Sequence, residues 1–275
     1  MFTQLLTCLL SFFTPTVYGW GTIGHMAIAE IAQNNLTTVA SKYISSIIPN
    51  GNMSDVANWP DQIRNLPQWR WTEPLHFIDT PDWSCDYIKE RDCYNNLGDF
   101  EYCVDGAIQN YTSLLKETPT NTNSDYLKFI IHFVGDIHQP LHCGFKSNSG
   151  GNSIKVHFNN HLVNLHSLWD SQLIEKRIND DFNNDYNLWI KYLQQNTYHY
   201  NLTNNCIGCS QLWGNISANL ACSNAYVLSD GITKIKNGDY LDDDYYKINI
   251  DVIERQIIYG GYRLADLLNY LYNDN

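Results

Sequence analysis

Apolar residues three and four positions apart recur through 23–48, 104–115, 126–137, 168–178, 189–195, 212–227 and 248–271. On a helix of 3.6 residues per turn such positions share one face, so these stretches predict amphipathic helices packed around a common core. One stretch breaks the pattern. Ile154, Val156 and Phe158 alternate with polar neighbours, Asn159-Asn160 is a turn pair, and 161–163 can return antiparallel, which predicts one short hairpin. The Asn-rich stretches 121–123 and 179–187 read as loops. A mainly α fold is expected. The 275 residues are 44% hydrophobic and 13% aromatic, enough for a sizeable core. No Pro/Gly/Ser linker or composition break divides them, so one domain is expected over 20–275.

Residues 1–19 have a different character. An uncharged apolar run over 5–13 ends in Thr14-Pro15, and Val17-Tyr18-Gly19 carries small residues where signal peptidase needs them, so cleavage is expected after Gly19. An uncleaved anchor would look similar, and the run lacks a preceding Lys or Arg. Export would open the sequons at Asn35, Asn52, Asn110, Asn201 and Asn215 to glycosylation. It would also favour disulfides among the cysteines beyond Cys8. Cys206-x-x-Cys209 reads as a local structural disulfide, with a redox or zinc pair as the alternative. No later apolar stretch reaches the roughly 18 residues of a membrane helix. The expected address is secreted or lumenal, a lysosome-like compartment included, and the expected state a monomer without membrane contact.

A net charge of −12 argues against holding polyanions through a basic surface. Any nucleic-acid chemistry must draw positive charge from elsewhere.

Within HFVGDIHQPLH, 132–142, His132 and Asp136 stand four apart, on one face of the predicted helix, where both can reach a single ion. Pro140 ends that helix, leaving His142 on the following loop. The spacing recurs at His166 and Asp170. One such pair is ordinarily a buried hydrogen bond; two pairs and a loop histidine make a metal site an equal reading. Asp61, His76 and His25 are further candidates, and His25 lies five residues after Trp20, whose freed α-amine and carbonyl can chelate an ion. His138 matches no ligand position and is expected behind the site or at the surface; His157, His161 and His199 are expected to be solvated.

These residues resemble the secreted zinc-dependent single-strand nucleases and 3′-nucleotidases, which share a fold with bacterial phospholipase C. The matching residues, in the family's order, are Trp20-Gly21 with His25, Trp59-x-Asp61-x-x-Arg64, Leu75-His76-Phe77-Ile78-Asp79, His132-x-x-x-Asp136, Gln139-Pro140-Leu141-His142, Gly150-Gly151-Asn152 and His166-x-x-x-Asp170. The resemblance implies three Zn²⁺ per chain. Asp61, His76, His132 and Asp136 would hold one ion, Trp20 and His25 a close neighbour bridged by Asp136, and His142, His166 and Asp170 a third. The ions would make the cleft of an acidic protein locally cationic.

The same resemblance implies in-line hydrolysis of single-stranded DNA and RNA to 5′-phosphorylated products, with 3′-nucleotidase activity, by metal-activated water. Asp61 would orient the attack and Arg64 neutralise charge on the phosphate. Phe77 would stack on a base, Asp79 bond its edge and Asn152 line the pocket. It further implies disulfides Cys93–Cys103 and Cys85–Cys222, leaving Cys143 without a partner. A zinc phospholipase C, or a non-catalytic secreted glycoprotein with a structural metal, are the competing classes. The first has its leading His further from the Trp and ends its last motif in Glu, where this chain has Asp170.

Overall fold

A computed structural model describes residues 20–117, 124–196 and 207–272. The helices are α1 (Thr22–Gln33), α2 (Thr38–Ile47), α3 (Met53–Val56), α4 (Trp59–Ile63), α5 (Lys89–Asp92), α6 (Val104–Glu117), α7 (Ser124–Asp136), α8 (Leu165–Ser167), α9 (Leu173–Asp181), α10 (Tyr186–Gln195), α11 (Ser210–Leu220) and α12 (Asp243–Leu271). Short 3₁₀ segments, Arg70–His76 and Pro140–Cys143 among them, connect them. The mainly α expectation holds.

Between α7 and α8 lies the one sheet among the described residues, β1 (Lys155–Phe158) paired antiparallel with β2 (His161–Asn164), in the register Lys155↔Asn164 and Phe158↔His161. Asn159 and Asn160 close it at φ of 48° and 63°. A two-residue hairpin turn needs that left-handed pair, and Asn tolerates it better than most residues.

The structure corrects several boundaries. The apolar run over 23–48 is two helices, because Thr37 turns extended and its hydroxyl caps α2 by accepting from the Ala40 N–H at 3.2 Å. The stretch 179–187 is not all loop: 179–181 finish α9, Asn183 and Asn184 turn left-handed, and α10 begins at Tyr186 behind the Asp185 cap. Two single-turn π segments, Leu168–Gln172 and Ala221–Ala225, interrupt otherwise helical runs. The stretch 121–123 lies outside the described residues.

The long C-terminal α12 packs along α1, where Gly261 lets Ile31 and the Ile28 carbonyl approach its backbone. Helix α7 is enclosed: from Phe129 to Asp136 every residue is buried, with α1, α4, α6 and α12 around it. That is where the chemistry-bearing His132 and Asp136 sit. Two disulfides clamp the frame, Cys85–Cys222 across 137 positions and Cys93–Cys103 across 10. Cys143 is free and buried. Cys209 is disulfide-bonded, while Cys206 lies outside the described residues, as do residues 1–19, His199 and Asn201. No described helix is long and apolar enough to cross a membrane.

Candidate metal centre

Each candidate ligand reaches the centre for a local reason. His25 is in the second turn of α1, and Gly135 on α7 leaves room for its ring: a Cβ there would stand 2.6 Å from Nδ1. Asp61 is in the first turn of α4, after Pro60, which opens helices readily. His76 ends the 3₁₀ segment Arg70–His76, and His132 and Asp136 are a turn apart on α7. His142 rides the 3₁₀ turn Pro140–Cys143. His166 and Asp170 straddle α8 and the π turn.

These side chains converge on three groups whose donor atoms lie within 4.8 Å of one another: His25, His132 and Asp136; Asp61, His76 and His132; His142, His166 and Asp170. His132 therefore borders both of the first two. Its Nε2 lies 3.1 Å from Asp136 Oδ2, 3.6 Å from Asp61 Oδ1 and 3.1 Å from His76 Nδ1. His25 Nε2 is 3.3 Å from Asp136 Oδ1, and His166 Nε2 is 3.4 Å from Asp170 Oδ2. The rings of His25 and His132 stack at 3.9 Å.

Three of the imidazoles are held from behind by main chain. His132 Nδ1 donates to the Ala57 carbonyl at 2.7 Å, His142 Nδ1 to the His76 carbonyl at 2.7 Å, and His166 Nδ1 to the Gly150 carbonyl at 2.6 Å. Such a bond fixes the tautomer and turns the Nε2 lone pair towards the centre, as a metal-binding histidine requires.

The electrostatics agree. Burial lowers the pKa of His25 to about 4 and of His166 to about 3, and lowers those of His76 and His142, so these rings are neutral donors. Burial also opposes charge on His132, but Asp136 and Asp61 outweigh it and raise its pKa. Asp136 is held well below the usual carboxylate range against its burial, chiefly by His132 and His142, while burial pushes Asp170 well above.

The decisive feature is what the protein leaves without a partner. Both ring nitrogens of His25, both oxygens of Asp61, His76 Nε2, Asp136 Oδ1 and His142 Nε2 are buried without a hydrogen-bond partner in the protein, His25 Nε2 and Asp136 Oδ1 facing each other at 3.3 Å and Asp61 Oδ1 facing Arg64 at 3.5 Å. Buried polar atoms left this way cost about 1–3 kcal/mol each, and they gather at one place. Imidazole and carboxylate donors in such a set fit Zn²⁺.

A cavity of about 530 Å³ opens over the centre, and Arg64, Phe77, Asp79, Asn152, His76, His142 and His166 all border it. Arg64 stands one turn beyond Asp61, its Nη1 3.5 Å from Asp61 Oδ1. Phe77 is half-buried against the cavity rather than in the core. Burial raises the Asp79 pKa against the pull of Lys146. Asn152 donates to the Ser149 carbonyl at 2.8 Å and leaves its Oδ1 unbonded.

Trp20 is wholly buried before α1, and the next residue, Gly21, donates its N–H to the Asp170 carbonyl at 2.8 Å. Gly21 thus meets the third group through main chain. His138 is not at the surface: it is buried, donates Nδ1 to the Val134 carbonyl at 2.6 Å and accepts from Arg263 at 2.7 Å. His161 is exposed, and His157 is half-buried against Tyr240 at 4.3 Å, so it is only partly solvated. Sequence reasoning missed Gly135, the Ala57 carbonyl, and Lys146, Glu73, Asn65 and Asn96 on the cavity rim. No periodicity or motif marks a backbone carbonyl, and these four rim residues fall outside the motifs that carried Arg64, Phe77, Asp79 and Asn152.

A sequence model described as S1/P1 Nuclease matches residues 20–273. The chain is 35% identical to Endonuclease 1 of Arabidopsis thaliana over 98% of this chain and 92% of that protein. It is 38% identical to Endonuclease 3 of the same plant, over 92% of this chain and 89% of the relative. Against Nuclease P1 of Penicillium citrinum the identity is 33%, covering 92% and 98%. The chain belongs to the S1/P1 nuclease family, hydrolases of the phosphodiester bonds of nucleic acids.

Proposed function

We propose that this chain is a secreted, zinc-dependent endonuclease that cuts single-stranded DNA and RNA to 5′-phosphorylated products and also removes phosphate from 3′-nucleotides. The convergence of buried, unpartnered imidazole and carboxylate atoms carries this reading. Asp61, His76, His132 and Asp136 would hold one Zn²⁺, His25 with the freed amine and carbonyl of Trp20 a second on the other side of Asp136, and His142, His166 and Asp170 a third. Bound zinc would supply Lewis acidity and lower the pKa of a water. The family match beginning at residue 20 supports the processed start.

The protein's own residues do the rest. Asp61, whose oxygens accept no hydrogen bond from the protein and lie no nearer than 3.5 Å to Arg64, orients the attacking water. Arg64 places its guanidinium over the same carboxylate and meets charge growing on the phosphate oxygens. Phe77 takes a base on its face, Asp79 reads its polar edge, and Asn152 lines the same pocket. A base must be unstacked to enter, so duplex is a poor substrate. Asn35, Asn52, Asn110, Asn201 and Asn215 are the glycan acceptors of the exported chain, which acts as a monomer.

The test is N-terminal sequencing and zinc analysis of the active protein, with phosphate release from 3′-AMP and cleavage of denatured and duplex DNA. A start at Trp20, about three zinc per chain and chelator-sensitive cleavage of denatured DNA are expected. Activity unaffected by chelation, or phosphatidylcholine hydrolysed in place of DNA, would sink the reading.

A further inference from the structure

Behind the third donor group lies a side chain that no ligand role explains. Gln139 is fully buried between α7 and the Pro140–Cys143 turn. Its Oε1 accepts the Leu141 N–H at 2.5 Å, capping the turn that carries His142, and its Nε2 donates to Asp170 Oδ1 at 2.5 Å. Its main-chain carbonyl accepts the His142 N–H at 3.0 Å. One residue thus sets the position of two of the three side chains in this group. Asp170 has its other oxygen, Oδ2, on the His166 side.

We infer that Gln139 is the positioning residue of the third cation site, aligning Asp170 with His142 so that His142, His166 and Asp170 meet on one ion. This rests on the zinc reading above. The chemistry is that of outer partners of metal ligands: a neutral amide satisfies one carboxylate oxygen and the start of the turn at once, adding no charge against the ion. The first two groups contain no atom bonded to the Gln139 side chain, so its loss weakens the third site and spares them.

The experiment compares wild type with Gln139→Glu and Gln139→Met. Glutamate keeps the acceptor for Leu141 but turns an oxygen towards Asp170. Methionine keeps the volume and removes both polar ends. Each secreted protein is dialysed against chelator-buffered Zn²⁺, and bound zinc is counted by mass spectrometry beside its melting curve. Wild type is expected to hold three ions and each variant two. The third should return only at roughly 10–100-fold higher free zinc, with phosphate release from 3′-AMP recovering in step. A packing defect alone would not be titrated back by metal.

Variants that keep three ions at wild-type free zinc overturn the inference and leave the zinc reading standing. A wild type with fewer than three overturns both. If neither variant folds, Gln139 is a folding residue and the inference is overturned as well.

Discussion

Gly135→Ala sets two opposing effects of calculable size against each other. Gly135 lies inside α7, where alanine in place of glycine ordinarily stabilises a helix by about 1 kcal/mol. The new Cβ, however, would stand 2.6 Å from His25 Nδ1 and 2.9 Å from its Cε1. To reach ordinary contact at 3.4 Å the ring must retreat by about 0.8 Å. It has nowhere easy to go, being stacked on His132 at 3.9 Å with Nε2 3.3 Å from Asp136. Overpacking of this kind costs about 1–3 kcal/mol, so the net change is a loss of roughly 1 kcal/mol and a melting point lower by about 2–4 °C. The functional effect is larger: a displacement near 1 Å at a reacting centre costs on the order of 100-fold in rate. Thermal melting, zinc content and cleavage of single-stranded DNA measured on the same preparation give the answer. An alanine variant that melts at or above the wild-type temperature and keeps its zinc and its rate would refute the reasoning.

Asp61→Asn should abolish cleavage and lower zinc content while the fold survives, read by circular dichroism and metal analysis, since both its oxygens face the centre and accept no hydrogen bond from the protein. Phe77→Ala should raise KM for single-stranded oligonucleotides by roughly tenfold, the worth of one base stack, with little change in melting temperature because the ring borders the cavity. Replacing Cys85 and Cys222 together by alanine opens a loop of 137 positions. It should cost about 4 kcal/mol, seen as a melting point lower by roughly 10 °C. Burial raises the Asp79 pKa above its unfolded value of 3.8, so ionising it destabilises the fold as pH climbs through the raised pKa. Asp79→Asn should therefore stabilise the zinc-free protein at neutral pH, lose that advantage below the unfolded pKa, and alter base preference in cleavage assays.

Much of the architecture was legible because it rests on periodicity. The 3.6-residue pattern marked α6, α7, α10, α11 and α12, and the alternation around Val156 with Asn159-Asn160 marked the hairpin to within a residue or two. Where a cap decided the boundary, as at Thr37 or Asp185, the apolar pattern ran on past it. The short α3 and α4 show no period at all, being too brief for one, yet α4 carries Asp61 and the residue that ends α3, Ala57, supplies the carbonyl behind His132. The candidate ligands were legible through spacing and family resemblance, but spacing alone did not divide them among ions; the division came from the resemblance, and the structure gathers His142, His166 and Asp170 as one group. His132 stands within reach of both other groups and stacks on His25 from another helix, a tertiary contact that no spacing within α7 encodes.

Three imidazoles of the centre are oriented by the carbonyls of Ala57, His76 and Gly150. A carbonyl belongs to the path of the chain and survives almost any exchange of the residue that bears it. Divergence in the surrounding side chains, of the kind that separates this protein from its plant and fungal relatives, can therefore proceed without rotating those rings, provided the backbone keeps its course. Insertions or deletions between α3 and Gly150 would disturb the rings far more than point changes, since they shift the carbonyls themselves.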